Sequence, residues 1–345
     1  MTNFIGGVGN LLFESTVEIA QNTETAFNNI SNAFSSANEI ISPEQQYFIG
    51  RAVAANILSD YNLYTRNPAL NTYLNLICQA IVINSPVPEI YSGYHVAILE
   101  TSEINAFATS GGHIFVSQGL ITAAGSEDAL AAVIAHEIAH IQLQHGIRAI
   151  GANRLTEAFM VTGASIAGVV SGYDVNEVTN AFSDAVGDVL TTMVNRGYSR
   201  NQENSADALA LHLLIAAGYN PSGLIEMLEE LNFIRSRHSG GFNRTHPTPA
   251  RRLSRVQREM RRLSYEDTSI NREQRFDALF PSRYSVTATA LNVRSGPSAS
   301  HSILGTLNRG DIIHVREIVN GWARFKFNGR NVYVNASYLA FAGTR

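Results

Sequence analysis

Two histidines and a glutamate stand close together in the stretch AAVIAHEIAHIQLQHG, residues 131–146. On an α-helix, positions four apart differ by about 40° around the axis and about 6 Å along it, so His136 and His140 would point the same way. Glu137 would be turned about 100° from His136 around the helix axis. In that position its carboxylate is better placed beside a metal-bound water than as a third ligand. The spacing therefore predicts a hydrolytic metal site on a helix.

The alternative interpretation is a pair of core histidines that donate to carbonyl groups. Three ionisable groups on one helix face are costly to bury without a compensating partner, which favours the metal site. His145 follows His140 by five residues. This is too far round a helix to coordinate with it, and we expect only a helix-end contact there.

A catalytic zinc usually takes three protein ligands and keeps one position for water, so another ligand is required elsewhere. The segment YSRNQENSADALALHLL places Glu203 and Asp207 four residues apart. Glu203 can complete the metal shell, and Asp207 can accept the free ring N–H of a ligating histidine. Taken alone, two such acids are also common in surface salt bridges, so this assignment depends on the histidine helix.

Capping residues and hydrophobic periodicity predict the elements that hold these groups. Ser42 with Pro43 begins one helix and Asn67 with Pro68 another, while strands are expected at 95–100 and 113–117 around a TSGG turn. The histidine helix should run from Ser126 to Gly146. Further helices are predicted at 150–170, 176–195, 200–217, 221–235 and 248–263, and short strands beyond residue 281. The fold class is α+β, with an extension at 1–41, a mainly helical domain at 42–280 and a small all-β domain at 281–345.

The composition limits the classes of function. With a formal net charge of -4 there is no general electrostatic basis for nucleic-acid binding, and none is expected. Twelve of the 25 basic residues lie between Arg235 and Arg283. This segment is expected to form a solvated helix face, and the alternative is a surface that binds anionic polymers. No apolar run is long enough to span a bilayer, and the first residues make a poor signal peptide. The single cysteine, Cys78, is expected in the core.

Several motifs together resemble one family over roughly residues 43–265. They are HEIAH, SRNQENSAD, the Thr245–Pro247 motif with Arg252 after it, and the upstream segment NAFATSGGHIFVSQGLI. It is the gluzincin family of zinc metallopeptidases of the heat-shock protease X and CAAX prenyl protease type, peptidase family M-48. The resemblance implies one zinc per chain on His136, His140 and Glu203, with Glu137 as general base. It also implies a catalytic His246, and a substrate paired as a strand with Gly112, His113, Ile114, Phe115 and Val116.

Two functions for His246 remain open. It could stabilise the oxyanion, or it could occupy the open zinc position and hold the enzyme latent. Many relatives carry a transmembrane hairpin between the metal helix and the third ligand, whereas this chain has none and resembles the soluble branch. The expected substrate is a protein or peptide.

The segment from about Tyr284 to Phe341 resembles a bacterial SH3-like domain through LNVRSGPS, LNRGD and GWARFKFNGRNVYVNASYL. Such domains bind cell-wall peptides or proteins, or no ligand beyond their own enzyme. Relatives with this domain suggest the bacterial periplasm, with the cytoplasm as the alternative. The competing functions are a non-catalytic scaffold or chaperone with a structural zinc, and a surface-binding protein that uses the arginine-rich segment.

Overall fold

The computed structural model describes residues 41–150, 175–235, 245–246, 249–265, 271–279, 283–315, 317–328 and 330–342, together with residues 25, 27 and 28. The chain forms two compact units, one over Met1–Ala124 and Asp128–Ser269 and the other over Gly125–Glu127 and Ile270–Arg345. The domain boundaries after residues 41 and 280 stay predictions, and the helix expected at 150–170 lies outside the described residues. In the parts of the chain that are described, no helix is both long and apolar enough to cross a bilayer.

Helices dominate the first unit, and their caps are those that the sequence predicts. Ser42 and Gln45 form a reciprocal capping box, as do Ser199 and Gln202, while Asn67 accepts from the backbone N–H of Leu70. The helices span Pro43–Asp60 (α1), Pro68–Val82 (α2), Gln118–Ala123 (α3), Glu127–Gln142 (α4), Val175–Leu190 (α5), Arg200–Ala216 (α6), Ser222–Arg235 (α7) and Pro249–Met260 (α8). Cys78 is buried on α2, as predicted.

A three-stranded sheet lies beside these helices. Strand β1 (His95–Leu99) pairs in parallel with β3 (His113–Ser117), and β2 (Ala106–Ala108) pairs with β3 from the other side in antiparallel fashion. Strand β2 was not predicted, because three residues are too short to show the alternation of a strand. The order β1-β3-β2 places β3 in the centre.

The central position of β3 contradicts one prediction. A substrate peptide was expected to pair with the segment from Gly112 to Val116, yet the backbone on both sides of this segment is already occupied. Residues 114–116 pair with β1 and β2 at once, and the carbonyl of Gly112 accepts from His95. A strand can be added only at the edge of a sheet, so this prediction is wrong.

Helix α1 packs closely against the turn that precedes β3. Ser110 donates through its hydroxyl to the carbonyl of Gln46 at 3.1 Å, and a Cβ at Gly50 would overlap the backbone nitrogen of Gly111. The glycine at position 50 is therefore required for the close approach of helix and turn.

We expect Gly50→Ala to lower the free energy of unfolding by about 1–3 kcal/mol, because the added methyl group forces α1 away from the turn. The matched control is Gly187→Ala on α5, where a Cβ meets no described atom within 4 Å. Alanine is the better helix former, so the control should stabilise the chain by about 0.5–1 kcal/mol. Urea denaturation measures both. Equal effects of the two substitutions would contradict the proposed tight contact.

The second unit is mainly β-structure, as predicted, and its described residues include the helix Arg272–Leu279 (α9), which was not predicted. Its strands are Arg283–Val286 (β4), Ala290–Arg294 (β5), Ile303–Asn308 (β6), Ile312–His314 (β7), Glu317–Val319 (β8), Trp322–Phe327 (β9), Arg330–Asn335 (β10) and Leu339–Phe341 (β11). They form two sheets with the orders β6-β5-β10-β9-β8 and β11-β4-β7. Strands β9 and β10 form the predicted hairpin, and Asn328 adopts a positive φ of 49° in its turn.

Candidate metal centre

Helix α4 carries the paired histidines through the middle of the first unit. Every residue from Ala129 to Gln142 is buried, so the helix is covered on all sides, and this explains its continuous apolar sequence. His136, Glu137 and His140 are among these buried residues, with exposed fractions of 2%, 0% and 1%. Groups of this polarity require partners in the interior.

Four side chains from three segments converge at this point: His136 and His140 of α4, Glu203 in the first turn of α6, and His246. One ligand atom of each lies within 4.8 Å of all the others. The two Nε2 atoms of His136 and His140 are 3.1 Å apart, and the Nε2 of His140 lies 3.4 Å from Glu203 Oε1. The Nδ1 of His246 lies 2.9 Å from Glu203 Oε1 and 3.3 Å from His136 Nε2.

This donor set fits a zinc ion. Four ligands at about 2.1 Å around a tetrahedral zinc place neighbouring ligand atoms about 3.4 Å apart. The separations given above lie between 2.9 Å and 3.4 Å, that between His136 Nε2 and Glu203 Oε2 is 3.7 Å, and all four donors lie within 4.8 Å of one another. Burial alone would raise the pKa of Glu203, but the charges of His246 and Arg252 outweigh it and hold the pKa well below its usual range. The carboxylate is therefore ionised, as a metal ligand must be.

Glu137 lies beside the four donors without being one of them. Neither of its carboxylate oxygens has a hydrogen-bond partner among the described residues, and the Nε2 of His246 lies 3.6 Å from Oε1. Burial raises the pKa of Glu137, although His246 and His136 oppose the rise. A buried carboxylate with free lone pairs next to a metal site is placed to hold water and exchange a proton with it.

His136 is fixed from behind by two charged residues. Asp207 Oδ1 lies 3.1 Å from His136 Nδ1, as the sequence predicts for a residue one helical turn after Glu203. Arg252 then donates to both oxygens of Asp207, at 2.9 Å and 2.6 Å, and its Nη1 lies 2.7 Å from Glu203 Oε2. Burial would raise the pKa of Asp207, but Arg252 and His136 lower it to about 2. Arg252 thus links both acids behind the site, a role that its place in the sequence did not reveal.

His145 is also closer to the site than the sequence predicts. The helix ends at Gln142 rather than at Gly146, Gln144 adopts a left-handed φ of 55°, and the backbone N–H of His145 donates to the carbonyl of His140. This is the Schellman arrangement of a helix end, which turns the chain back on the last helical turn. As a result the Nδ1 atoms of His145 and His140 lie 3.0 Å apart. The expectation of a helix-end contact was correct, but it missed the contact with a candidate ligand.

A second group that sequence reasoning missed is Tyr198. Its ring stacks on that of His140 with the centroids 4.0 Å apart, and its backbone N–H donates to the carbonyl of Thr245. Thr245 in turn donates through its hydroxyl to Asn105, the residue before β2. These contacts fix the segment that carries His246 against α4 and the small sheet. The sequence feature that could have indicated this contact is the position of Tyr198, one residue before Ser199, the N-cap of the helix that carries Glu203.

Comparison with known proteins finds matches to two family models. The model of Peptidase family M48 matches residues 68–260, and that of the bacterial SH3 domain matches residues 289–340. The beta-barrel assembly-enhancing protease of Escherichia coli (strain K12) is 26% identical over 191 residues, which cover 54% of this chain and 38% of that protein.

Two further relatives carry names of metallopeptidases. The metalloprotease LoiP of Escherichia coli (strain K12) is 30% identical over 158 residues, 46% of this chain and 59% of that protein. The mitochondrial metalloendopeptidase OMA1 of Saccharomyces cerevisiae is 27% identical over 183 residues, 51% of this chain and 49% of that protein. The chain thus spans 38–59% of the length of these relatives. Because the first family match extends over more than half of the 345 residues, the chain belongs to Peptidase family M48, and a bacterial SH3 domain follows the peptidase region.

Proposed function

We propose that this chain is a zinc-dependent endopeptidase that hydrolyses proteins of the bacterial cell envelope as part of their quality control. The observation that carries the proposal is the fully buried carboxylate of Glu137, whose oxygens have no described hydrogen-bond partner beside a cluster of four metal-binding side chains. A structural metal site requires only its ligands. A buried carboxylate without a hydrogen-bond partner among the described residues costs stability, and hydrolysis gives that carboxylate a function.

In this proposal His136, His140 and Glu203 hold one zinc ion. Bound there, zinc would serve as the Lewis acid of the reaction, with which the scissile carbonyl would be polarised and water could attack near neutral pH. Glu137 takes the proton of the attacking water and delivers it to the nitrogen of the leaving amine. Asp207 accepts from the Nδ1–H of His136, so that the Nε2 lone pair faces the other donors. Tyr198 covers one face of His140 and excludes water from it.

The position of His246 favours a latent resting state over a role in oxyanion stabilisation alone. Its Nδ1 lies among the donor atoms, at 2.9 Å from Glu203 Oε1 and 3.3 Å from His136 Nε2. Once a metal ion displaced its proton, the imidazole in that position would complete a four-ligand set and would leave no place for water. We propose that His246 must move away before a substrate can bind.

Substitution of His246 by Ala is expected to raise the basal rate of casein hydrolysis several-fold, because it opens the fourth position. Zinc content should stay near one per chain, since three ligands remain. The measurement is casein turnover beside metal analysis of the purified protein. A fall in activity with unchanged zinc content would instead assign His246 to stabilisation of the transition state.

The competing function is a scaffold or chaperone in which four ligands close a structural zinc site. The four converging donors are compatible with it, and the SH3-like domain would then supply the binding activity. The carboxylate of Glu137, which has no hydrogen-bond partner among the described residues, argues against it. The two functions differ in one measurement, because a scaffold would keep its zinc and never cleave casein, with or without His246.

The partners and the location follow as further proposals. One relative is named for enhancing the assembly of β-barrels, which supports misassembled envelope proteins as the substrate class and the periplasm as the location. For the SH3-like domain we propose a cell-wall peptide or a protein segment as the ligand. The test of the whole proposal is casein hydrolysis by the full chain, abolished by a zinc chelator and restored by added zinc. A chain that binds zinc but cleaves neither casein nor unfolded envelope proteins would contradict it.

A further inference from the structure

We propose that His145 is a positioning residue for the second histidine ligand. Its Nδ1 accepts the ring N–H of His140 and so holds the Nε2 lone pair of His140 towards the other donors. The inference rests on the proposed zinc site and adds a residue to it. Its basis is the short separation of two buried ring nitrogens, 3.0 Å between His140 Nδ1 and His145 Nδ1.

The protons on these rings can be assigned from the contacts. Only one proton fits between the two Nδ1 atoms, so one ring donates and the other accepts. The Nε2 of His140 faces His136 and Glu203, at 3.1 Å and 3.4 Å, and must be unprotonated to bind a metal. Neutral His140 therefore carries its proton on Nδ1, and His145 is the acceptor.

The far side of His145 is consistent with this assignment. With Nδ1 as acceptor, the neutral ring carries its proton on Nε2, which lies 3.3 Å from the hydroxyl oxygen of Ser205. Ser205 can accept that proton because its own hydroxyl donates to a backbone carbonyl, that of Gln202 at 2.9 Å or that of Asn201 at 3.0 Å. The hydrogen bonds thus run in one direction, from His140 to His145, from His145 to Ser205 and from Ser205 to a backbone carbonyl.

The fold holds this acceptor in place. The Schellman turn at the end of α4 directs His145 back towards His140. The residue is 3% exposed, and its ring centroid lies 4.9 Å from that of His140. The two histidine ligands then have different supports. His136 is held by the anionic Asp207, and His140 by a neutral imidazole, so the His140 side of the site carries no added negative charge.

The affinity of the full chain for zinc tests the inference. His145→Leu removes the acceptor at similar size, and we expect it to weaken zinc binding by about 10–100-fold. In His145→Asn the oxygen Oδ1, bonded to Cγ like the Nδ1 of histidine, can still accept, so zinc binding should stay within about threefold of the natural chain. His95→Ala, at an exposed histidine of β1, is the control and should leave affinity unchanged. Competition with a chelating dye measures all four proteins.

A second measurement does not depend on the fold of a variant. Nitrogen-15 NMR of the histidine rings in the zinc-bound natural chain should show His145 protonated on Nε2 alone and His140 on Nδ1. Protonation of His145 on Nδ1 would overturn the inference. So would equal zinc affinity of His145→Leu and the natural chain, or equal weakening by Leu and Asn. A natural chain without zinc affinity would instead refute the proposed metal site itself, which keeps the two failures distinct.

Discussion

Replacement of Glu137 by Gln is expected to lower casein hydrolysis by about 10²–10⁴-fold, the range that general acid–base groups contribute. The amide has nearly the shape of the carboxylate but cannot take a proton from water. Zinc content should stay at that of the natural chain, because Glu137 is not one of the four converging donors His136, His140, Glu203 and His246. Metal analysis and casein turnover on the same samples measure both quantities.

A matched control separates loss of the base from loss of any buried acid. Glu230 on α7 is buried to the same degree, with an exposed fraction of 1%, and it is not one of the four converging donors. Glu230→Gln should therefore leave turnover and zinc content near those of the natural chain. Full activity of Glu137→Gln with zinc bound would assign the proton transfer to another group. Loss of zinc from Glu137→Gln would show that Glu137 is needed for metal binding.

Replacement of Arg252 by Met is expected to lower the free energy of unfolding of the metal-free protein by about 3–5 kcal/mol, the usual cost of removing one partner from a buried ion pair. Arg252 is 4% exposed and contacts two acids, Asp207 through both oxygens and Glu203 through one. Methionine fills much of the volume but leaves both carboxylates buried without their cation. Urea denaturation in the presence of a chelator measures the effect.

The neighbouring residue supplies the control. Arg251 lies on the same helix and is exposed, so Arg251→Ala should change stability by no more than about 0.5 kcal/mol. Arg252→Met should also weaken zinc binding, because Asp207 loses the contacts that fix its position against His136. If the two variants were equally stable, the buried ion pairs would contribute little to the fold.

The parts of the site that the sequence predicts are those governed by local geometry. The four-residue spacing of His136 and His140 determines a shared helix face, and Ser199 with Gln202 determines where α6 begins, which places Glu203 in its first turn. Such relations extend over one or two helical turns, and the structure agrees with them. The α+β fold class and the mainly β second unit likewise follow from local sequence patterns, although helix α9 in that unit was not predicted.

Relations between distant segments could not be derived in this way. Strand β2 forms only because β3 lies beside it, and the order of the three strands decides which one lies in the centre. The prediction that peptide substrates pair with Gly112–Val116 was wrong for that reason. The prediction that His145 cannot reach the ligands assumed that the helix continues to that residue. The helix instead ends three residues before His145, and the chain turns back there. Likewise, the contact of Arg252 with two acids depends on tertiary packing.

The position of the four donors has a consequence for the stability of the peptidase unit. His140, Glu203 and His246 are far apart in sequence, and a single ion bound to all three would act as a cross-link that closes two long loops. A disulfide cannot take that role here, since Cys78 is the chain's one cysteine and is buried. If His246 leaves the ion when substrate binds, one of these loops is released. The resting enzyme should then resist unfolding and digestion by other proteases better than the working enzyme does.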